Sequence, residues 1–294
     1  MPDQLKPQPA RNSVLRALIF AWFAINFFVL TSFLYSGIMI TPTYLIVSSP
    51  LRSGAVTVTN ASDKDREVWV QFRYGYQVVD DRGKPTVVVV NADSGSPRSA
   101  SAWLRAYPDR FLLPQNTSQT IRILVTAPAG TVDGEYWARV VVGSKEANPL
   151  QSQAARRETK GVNMSIGIIE YKDIPLHYRK GNPTPRIAIR KVSTSILKDT
   201  MKVLLDLQQA GNAAYWGNAT VRMVNGSGKT VTTLRQGITV YVDEVVPFFM
   251  PISKVPPGEY SLDVDVVTEA KGGIKREHLL KVEPLKYSTN ITLP

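Results

Sequence analysis

The sequence predicts an all-β protein, two β-sandwiches in tandem behind a hydrophobic N-terminal helix. Short runs rich in Val, Ile, Thr and aromatic residues, separated by Gly, Pro, Asn and Asp, follow one another from residue 37 to the end. Helical periodicity is missing after the leader. The strand pattern also stops at a proline-rich break near residue 180 and restarts behind it. A length of 294 residues suits two domains of ordinary size. Hydrophobic residues at 44% and charged residues at 20% are a globular balance.

Residues 1–36 read as a leader. Lys6, Arg11 and Arg16 precede the apolar run ALIFAWFAINFFVLTSFL, and no charge occurs from Ala17 to Leu51. A positive flank before an apolar core is the pattern of an export signal or a signal anchor, with the N-terminus cytoplasmic. Tyr35-Ser36-Gly37, with Leu34 before it, is a poor small-x-small cleavage site, so removal and retention both remain open. The chain from about Gly37 is expected in the periplasm or at the cell surface, with residues 17–36 as a possible inner-membrane anchor. Export without cysteine points to a bacterial envelope.

The first sandwich is expected over residues 37–181. Its strands are read at Ile38–Val47, Ala55–Thr59, Glu67–Tyr74, Thr86–Val90, Thr120–Thr126 and Tyr136–Val142. In REVWVQFRY, Val68, Val70 and Phe72 alternate with Trp69, Gln71 and Arg73, the period of a sheet with one buried face. Asp80-Asp81-Arg82-Gly83 reads as a hairpin turn. Arg179-Lys180-Gly181-Asn182-Pro183-Thr184-Pro185 reads as a stiff linker.

Residues 182–294 form the second expected sandwich. Its strands are read at Arg186–Arg190, Lys202–Gln208, Ala219–Val224, Val231–Leu234, Ile238–Val242, Val245–Ile252, Tyr260–Val267 and Ile274–Val282. Gly134-Glu135-Tyr136 in the first half and Gly258-Glu259-Tyr260 in the second each lead into a strand. A tyrosine so placed is the mark of a tyrosine corner, whose hydroxyl ties a strand to the loop before it. The repeat makes both sandwiches immunoglobulin-like.

Composition also narrows the chemistry. The absence of cysteine removes disulfides, cysteine–zinc sites and thiol nucleophiles. Only His177 and His278 are left for metal or acid–base work, and both read as ordinary strand histidines, so no metal, cofactor or catalytic residue is assigned. Asn225-Gly226-Ser227-Gly228-Lys229-Thr230 ends like a phosphate loop, but the required earlier glycine is Met223 and no helix follows. It reads as a hairpin turn. The net charge of +11 is dispersed, without a base-stacking motif, so no nucleic-acid partner is expected.

Four features carry a resemblance: the strand ending in Thr59-Asn60, the turn Pro108-x-x-Phe111-x-Leu113-Pro114, the strand opening Asp133-Gly134-Glu135-Tyr136, and Ile174-x-Leu176-x-Tyr178-Arg179. In this order, over roughly residues 37–181, the chain resembles the N-terminal domain of the periplasmic chaperones that assemble pili by the chaperone–usher route. The resemblance implies a non-enzymatic protein that lends a strand of alternating apolar side chains to a subunit with an incomplete sandwich. In the matching place stand Val162, Met164, Ile166 and Ile168 at strict period 2. They read equally as a lent strand or as core.

The match is incomplete. Where the family carries a basic residue and a lysine that anchor a client carboxylate, this chain has Tyr44 and Pro175, neither of which offers a charge-assisted bond. Lys172 is a neighbour that could serve instead. Arg179 matches a hinge arginine that in the family pairs with acids of both domains, and Glu135 and Glu269 stand at plausible partner positions. The expected partners are pilin-like subunits or another envelope assembly component, with the membrane reached through the leader. The alternative is a membrane-anchored structural or adhesive immunoglobulin-like surface protein; a carboxylate-based glycan hydrolase is the third reading.

Overall fold

The computed structural model describes residues 37–90, 96–147, 168–270 and 274–294. The leader and Val162, Met164 and Ile166 lie outside the described residues. Among those described, no helix is long and apolar enough to cross a membrane. The architecture is all-β.

The first half holds β1 (Ile38–Thr41), β2 (Leu45–Ser48), β3 (Ser53–Asn60), β4 (Arg66–Val79), β5 (Pro85–Val90), β6 (Leu104–Tyr107), β7 (Arg110–Leu113), β8 (Ser118–Val125), β9 (Gly134–Glu146) and β10 (Ile169–Lys180). They form two sheets, β1-β3-β8-β6 and β2-β10-β9-β4-β5, with β7 paired to β4. The single strand expected over Ile38–Val47 is two. β1 pairs antiparallel with β3, whereas β2 crosses to the other sheet and runs parallel to β10. Pro42, which has no N–H to give a ladder, stands at the crossing.

Alternation decides what fills this sandwich. Val68, Val70 and Phe72 of β4, Tyr136, Ala138, Val140 and Val142 of β9, and Ile174, Leu176 and Tyr178 of β10 meet Val56, Val58, Ile121 and Ile123 of the facing sheet. Each such branched or aromatic side chain contributes about 1.5–3 kcal/mol on burial. Asn60 closes one end: its buried amide donates to the carbonyls of Lys64 and Leu113 at 2.7 and 3.1 Å. The hairpin at Asp80 forms as read, its carboxylate accepting the Arg82 and Lys84 N–H groups and Gly83 taking a φ of 77°.

The second half holds β11 (Ile187–Leu197), β12 (Thr200–Gln209), β13 (Tyr215–Asn225), β14 (Thr230–Val240), β15 (Glu244–Pro251), β16 (Gly258–Thr268) and β17 (Leu285–Leu293). Their sheets are β11-β12-β15 and β14-β13-β16-β17 around a separate core that includes Val203, Leu205, Val221, Phe248 and Leu262. Two expectations fail here. The strands at Val231–Leu234 and Ile238–Val242 are one, because β13 pairs straight through Gly237. The strand at Ile274–Val282 is absent; a short helical turn at Arg276–His278 stands there, and Ile274 and Leu279 pack between the sandwiches instead of joining a sheet.

Both tyrosine corners are present. The Tyr136 hydroxyl donates to the Val132 carbonyl at 2.9 Å, and the Tyr260 hydroxyl to the Pro256 carbonyl at 2.7 Å. The same device at equivalent strands makes the halves tandem immunoglobulin-like sandwiches.

Candidate functional site

β10 serves two purposes along its length. Its second half, Leu176–Arg179, lies between β2 and β9. Its first half, Ile169–Pro175, pairs with β9 alone among the described residues, so its other edge offers unpaired backbone groups.

The side chains of that first half alternate in an unusual way. Ile174, Leu176 and Tyr178 point into the core. Continued toward the N-terminus, the same row reads Lys172, Glu170 and Ile168. Glu170 is held in a polar cap at the end of the sandwich. It accepts the Ile38 N–H at 3.3 Å, lies 3.3 Å from Arg66 Nη2, and pairs with Lys172 at 3.2 Å; Arg66 in turn donates to Ser144 at 3.1 Å. Ile168 stands beyond this cap and is 75% exposed. On the other face, Ile169 and Tyr171 are also exposed, with Tyr171 edge-on to Trp69 at 6.0 Å.

At its far end β10 enters the junction of the two sandwiches. Glu135 and His177 are buried side by side on paired strands, Nδ1 of the imidazole 2.9 Å from Oε1 of the carboxylate. Arg179 donates its Nε–H to Glu135 Oε2 at 2.7 Å and its Nη1–H to the His278 carbonyl at 2.7 Å, and its guanidinium lies 5.3 Å from the Trp216 ring centroid. From the second sandwich, the Ala214 N–H reaches Glu135 Oε1 at 3.3 Å and the Tyr241 hydroxyl lies 3.2 Å from His177 Nε2.

The charges follow from these contacts. Burial alone raises the Glu135 carboxyl, but His177 and Arg179 outweigh it and hold the group below the ordinary 4.5. An ionised carboxylate only accepts, so Nδ1 of His177 carries a proton. Burial drives the Tyr241 phenol well above its ordinary 10.0, which keeps it protonated. The Tyr241 hydroxyl stands at the other ring nitrogen, Nε2, so the imidazole is held from both sandwiches.

The other residues singled out from sequence fall as follows. Glu269 does not join Arg179: it accepts from Asn218 and pairs with Arg235 on neighbouring strands of one sheet of the second sandwich. Tyr44 is engaged at the junction, its hydroxyl accepting the Lys275 N–H at 2.7 Å and its ring meeting His278 edge-on at 6.1 Å. Pro175 sits in β10 opposite Arg139, where the Arg139 side chain reaches Asp173 at 2.5 Å. Lys172 is committed to Glu170.

Against known proteins, no family model matches the chain, and no characterised protein matches its sequence. Among solved structures the chain is similar to chaperones of pilus assembly. The class 5 fimbriae chaperone CfaA is 15% identical with a TM-score of 0.44 over 86% of this chain and 98% of that one. The CsuC–CsuE chaperone–tip adhesion subunit pre-assembly complex, from the archaic chaperone–usher Csu pili of Acinetobacter baumannii, is 14% identical with a TM-score of 0.43 over 85% and 98%. The Salmonella enterica SafA pilin in complex with the SafB chaperone is 15% identical with a TM-score of 0.40 over 86% and 96%.

Sequence reading missed most of the junction. Trp137, Ala214, Trp216 and Tyr241 form with Tyr74 a third apolar cluster between the sandwiches. His177 shared its spacing with Arg179, two places on and so on the same face of β10, but Glu135 lies 42 residues away and Tyr241 64. Trp137 was the available signal: it alternates with the core residues Tyr136 and Ala138, and so large a ring on the outward row of β9 calls for a cover.

Proposed function

We propose that the protein is a non-enzymatic periplasmic chaperone that assists assembly of pili or related envelope filaments by lending the strand at the N-terminal end of β10 to an incomplete subunit sandwich. The observation that carries this is Ile168. It stands on the row that becomes core at Ile174, yet Glu170 and Lys172 separate it from that core and leave it exposed. The open backbone edge of Ile169–Pro175 supplies the ladder that strand addition requires. The run Val162, Met164, Ile166 and Ile168 then supplies alternate side chains for a client groove. Residues 37–181 act as the client-binding sandwich and residues 182–294 as a second sandwich fixed to it.

The missing clamp is part of the same reading. Tyr44 is committed to Lys275 and Pro175 has no charge, so a client is held through ladder bonds and apolar side chains, not a buried carboxylate. The leader, by this reading, delivers the chain to the periplasm and anchors it where it is retained.

The test is the double variant Ile166→Asn, Ile168→Asn. Capture of a pilin-type subunit in the native host should fall at least about tenfold, the equivalent of roughly 1.4 kcal/mol. Melting temperature should stay within about 2 °C, as expected if the lent strand is no part of the folded core. A drop of many degrees, with capture unchanged per folded molecule, would contradict strand donation and favour the surface-module alternative.

A further inference from the structure

Where β10 begins, at the end of the first sandwich, one carboxylate gathers strands from both sheets. Glu170 of β10 accepts the Ile38 N–H of β1 at 3.3 Å, pairs with Arg66 of β4 at 3.3 Å, and pairs with Lys172 on its own strand at 3.2 Å. Arg66 extends the contact to β9, its Nε–H donating to the buried Ser144 hydroxyl at 3.1 Å. The Arg66 side chain is 8% exposed and that of Glu170 23%, so salt and water screen this pair less than an open surface pair. The backbone also makes room for the carboxylate. A Cβ at Gly37, which takes a φ of 141°, would lie 2.7 Å from both Glu170 oxygens, so glycine is required for the chain to enter β1 this closely.

The place of this clasp matters because of what it holds. Ile169–Pro175 is paired with β9 alone among the described residues, and a strand bonded on one side opens readily from its free end. No core side chain fixes it before Ile174. The inner row there offers only Lys172 and Glu170, and of the two it is Glu170 that bonds to other strands among the described residues. A segment that has to be ordered when its partner arrives loses affinity, and one held in place beforehand does not.

We infer that Glu170, itself held by Arg66, is a positioning residue for strand donation: it keeps the first half of β10 on β9, with the open edge ready for a client, and marks where the molecule's own apolar row stops and the offered row begins. The inference rests on the strand-donation reading above and adds to it the group that presents the strand.

Three variants of the full chain test it. Glu170→Gln keeps an acceptor for Ile38 but removes the charge that holds Arg66, Glu170→Ala removes both, and Arg66→Gln breaks the pair from the other side. Peptide-resolved hydrogen exchange should quicken at Ile169–Asp173 by at least about tenfold in Glu170→Ala and by less in the other two, while Leu176–Arg179 keep their rates. Capture of a pilin-type subunit in the native host, counted per folded molecule, should fall about fivefold in Glu170→Ala and by a smaller factor in Glu170→Gln. A cap that served folding alone would lower the melting temperature but leave capture per folded molecule at the wild-type level in all three variants. That result, or exchange at Ile169–Asp173 no faster than in wild type, would overturn the positioning role; strand donation would still stand if Ile166→Asn, Ile168→Asn abolished capture. Undiminished capture by that double variant would overturn strand donation and the positioning role together.

Discussion

Glu135→Gln is expected to destabilise the protein by about 3–5 kcal/mol at neutral pH, the cost of removing one partner from a buried ion pair. The isosteric amide keeps the volume but leaves Arg179, largely enclosed by Trp216 and the His278 carbonyl, without its counter-charge. Its one carbonyl oxygen can accept from His177 and Ala214 or from Arg179 but not on both sides, and its NH2 then faces the donors left over. The pH dependence has a definite sign. The folded Glu135 carboxyl titrates below its ordinary 4.5, so its contribution is fully present above that value and is lost as pH falls through the depressed one. The gap between wild type and variant in denaturant midpoint should therefore be widest near pH 7 and close in acid. A gap under about 1 kcal/mol at pH 7 would show that the junction is not held by this pair.

Glu244→Gln should act in the opposite direction. Glu244 begins β15 and touches the other sandwich through Oε2, which accepts the Val79 N–H at 3.2 Å, while its buried Oε1 has no partner. Burial raises this carboxyl to about 7, against the smaller opposing effect of the Val79 N–H. Between about 4.5 and about 7 an unfolded chain gives up the proton that the folded chain keeps, so stability falls as pH rises through that window. The accumulated loss by pH 8 is on the order of 3 kcal/mol. Glutamine retains the Val79 acceptor and removes the charge. Allowing for its own buried amide, the variant should be about 1–2 kcal/mol more stable than wild type at pH 8 and no more stable at pH 5. Urea denaturation at the two values checks this, and equal or lower stability of the variant at pH 8 would contradict it.

These two carboxylates show where sequence is a good guide and where it is not. The tyrosine corners were legible because Gly-Glu-Tyr before a strand is a local pattern with a local partner, four residues back in both cases. The hairpins at Asp80 and Asn225 were legible for the same reason, each aspartyl or asparaginyl oxygen bonding N–H groups two and four residues on. The junction was only half legible. Glu135 was named beside Arg179 through the family resemblance and not through spacing, and the two stand opposite each other on adjacent strands. Glu269 was named with it but bonds to Asn218 and Arg235, neighbours set by the register of β13 with β14 and β16, which no spacing along the chain reveals. Glu244 gave no sign at all. Nothing in EVVPFFMP tells that its first carboxylate is covered by a hairpin from the other sandwich.

The strand reading failed in instructive places. Ile274–Val282 has strand composition, but its apolar residues serve the contact between sandwiches, where Lys275 and His278 meet Tyr44. The donor row divided similarly: alternation alone made Val162, Met164, Ile166 and Ile168 equally core or client-facing. The proposal at Ile168 draws its support from the charged step of Glu170 and Lys172, whose meaning depends on Arg66 and Ser144 from two other strands.

Strand donation is the central claim, and site-specific photo-crosslinking in the native host tests it most directly. A photoreactive residue at Ile168 should capture a filament subunit whose own sandwich lacks a final strand, and the same probe at Thr233, on β14 of the second sandwich, should not. No product from Ile168, or the same products from both positions, would contradict the account.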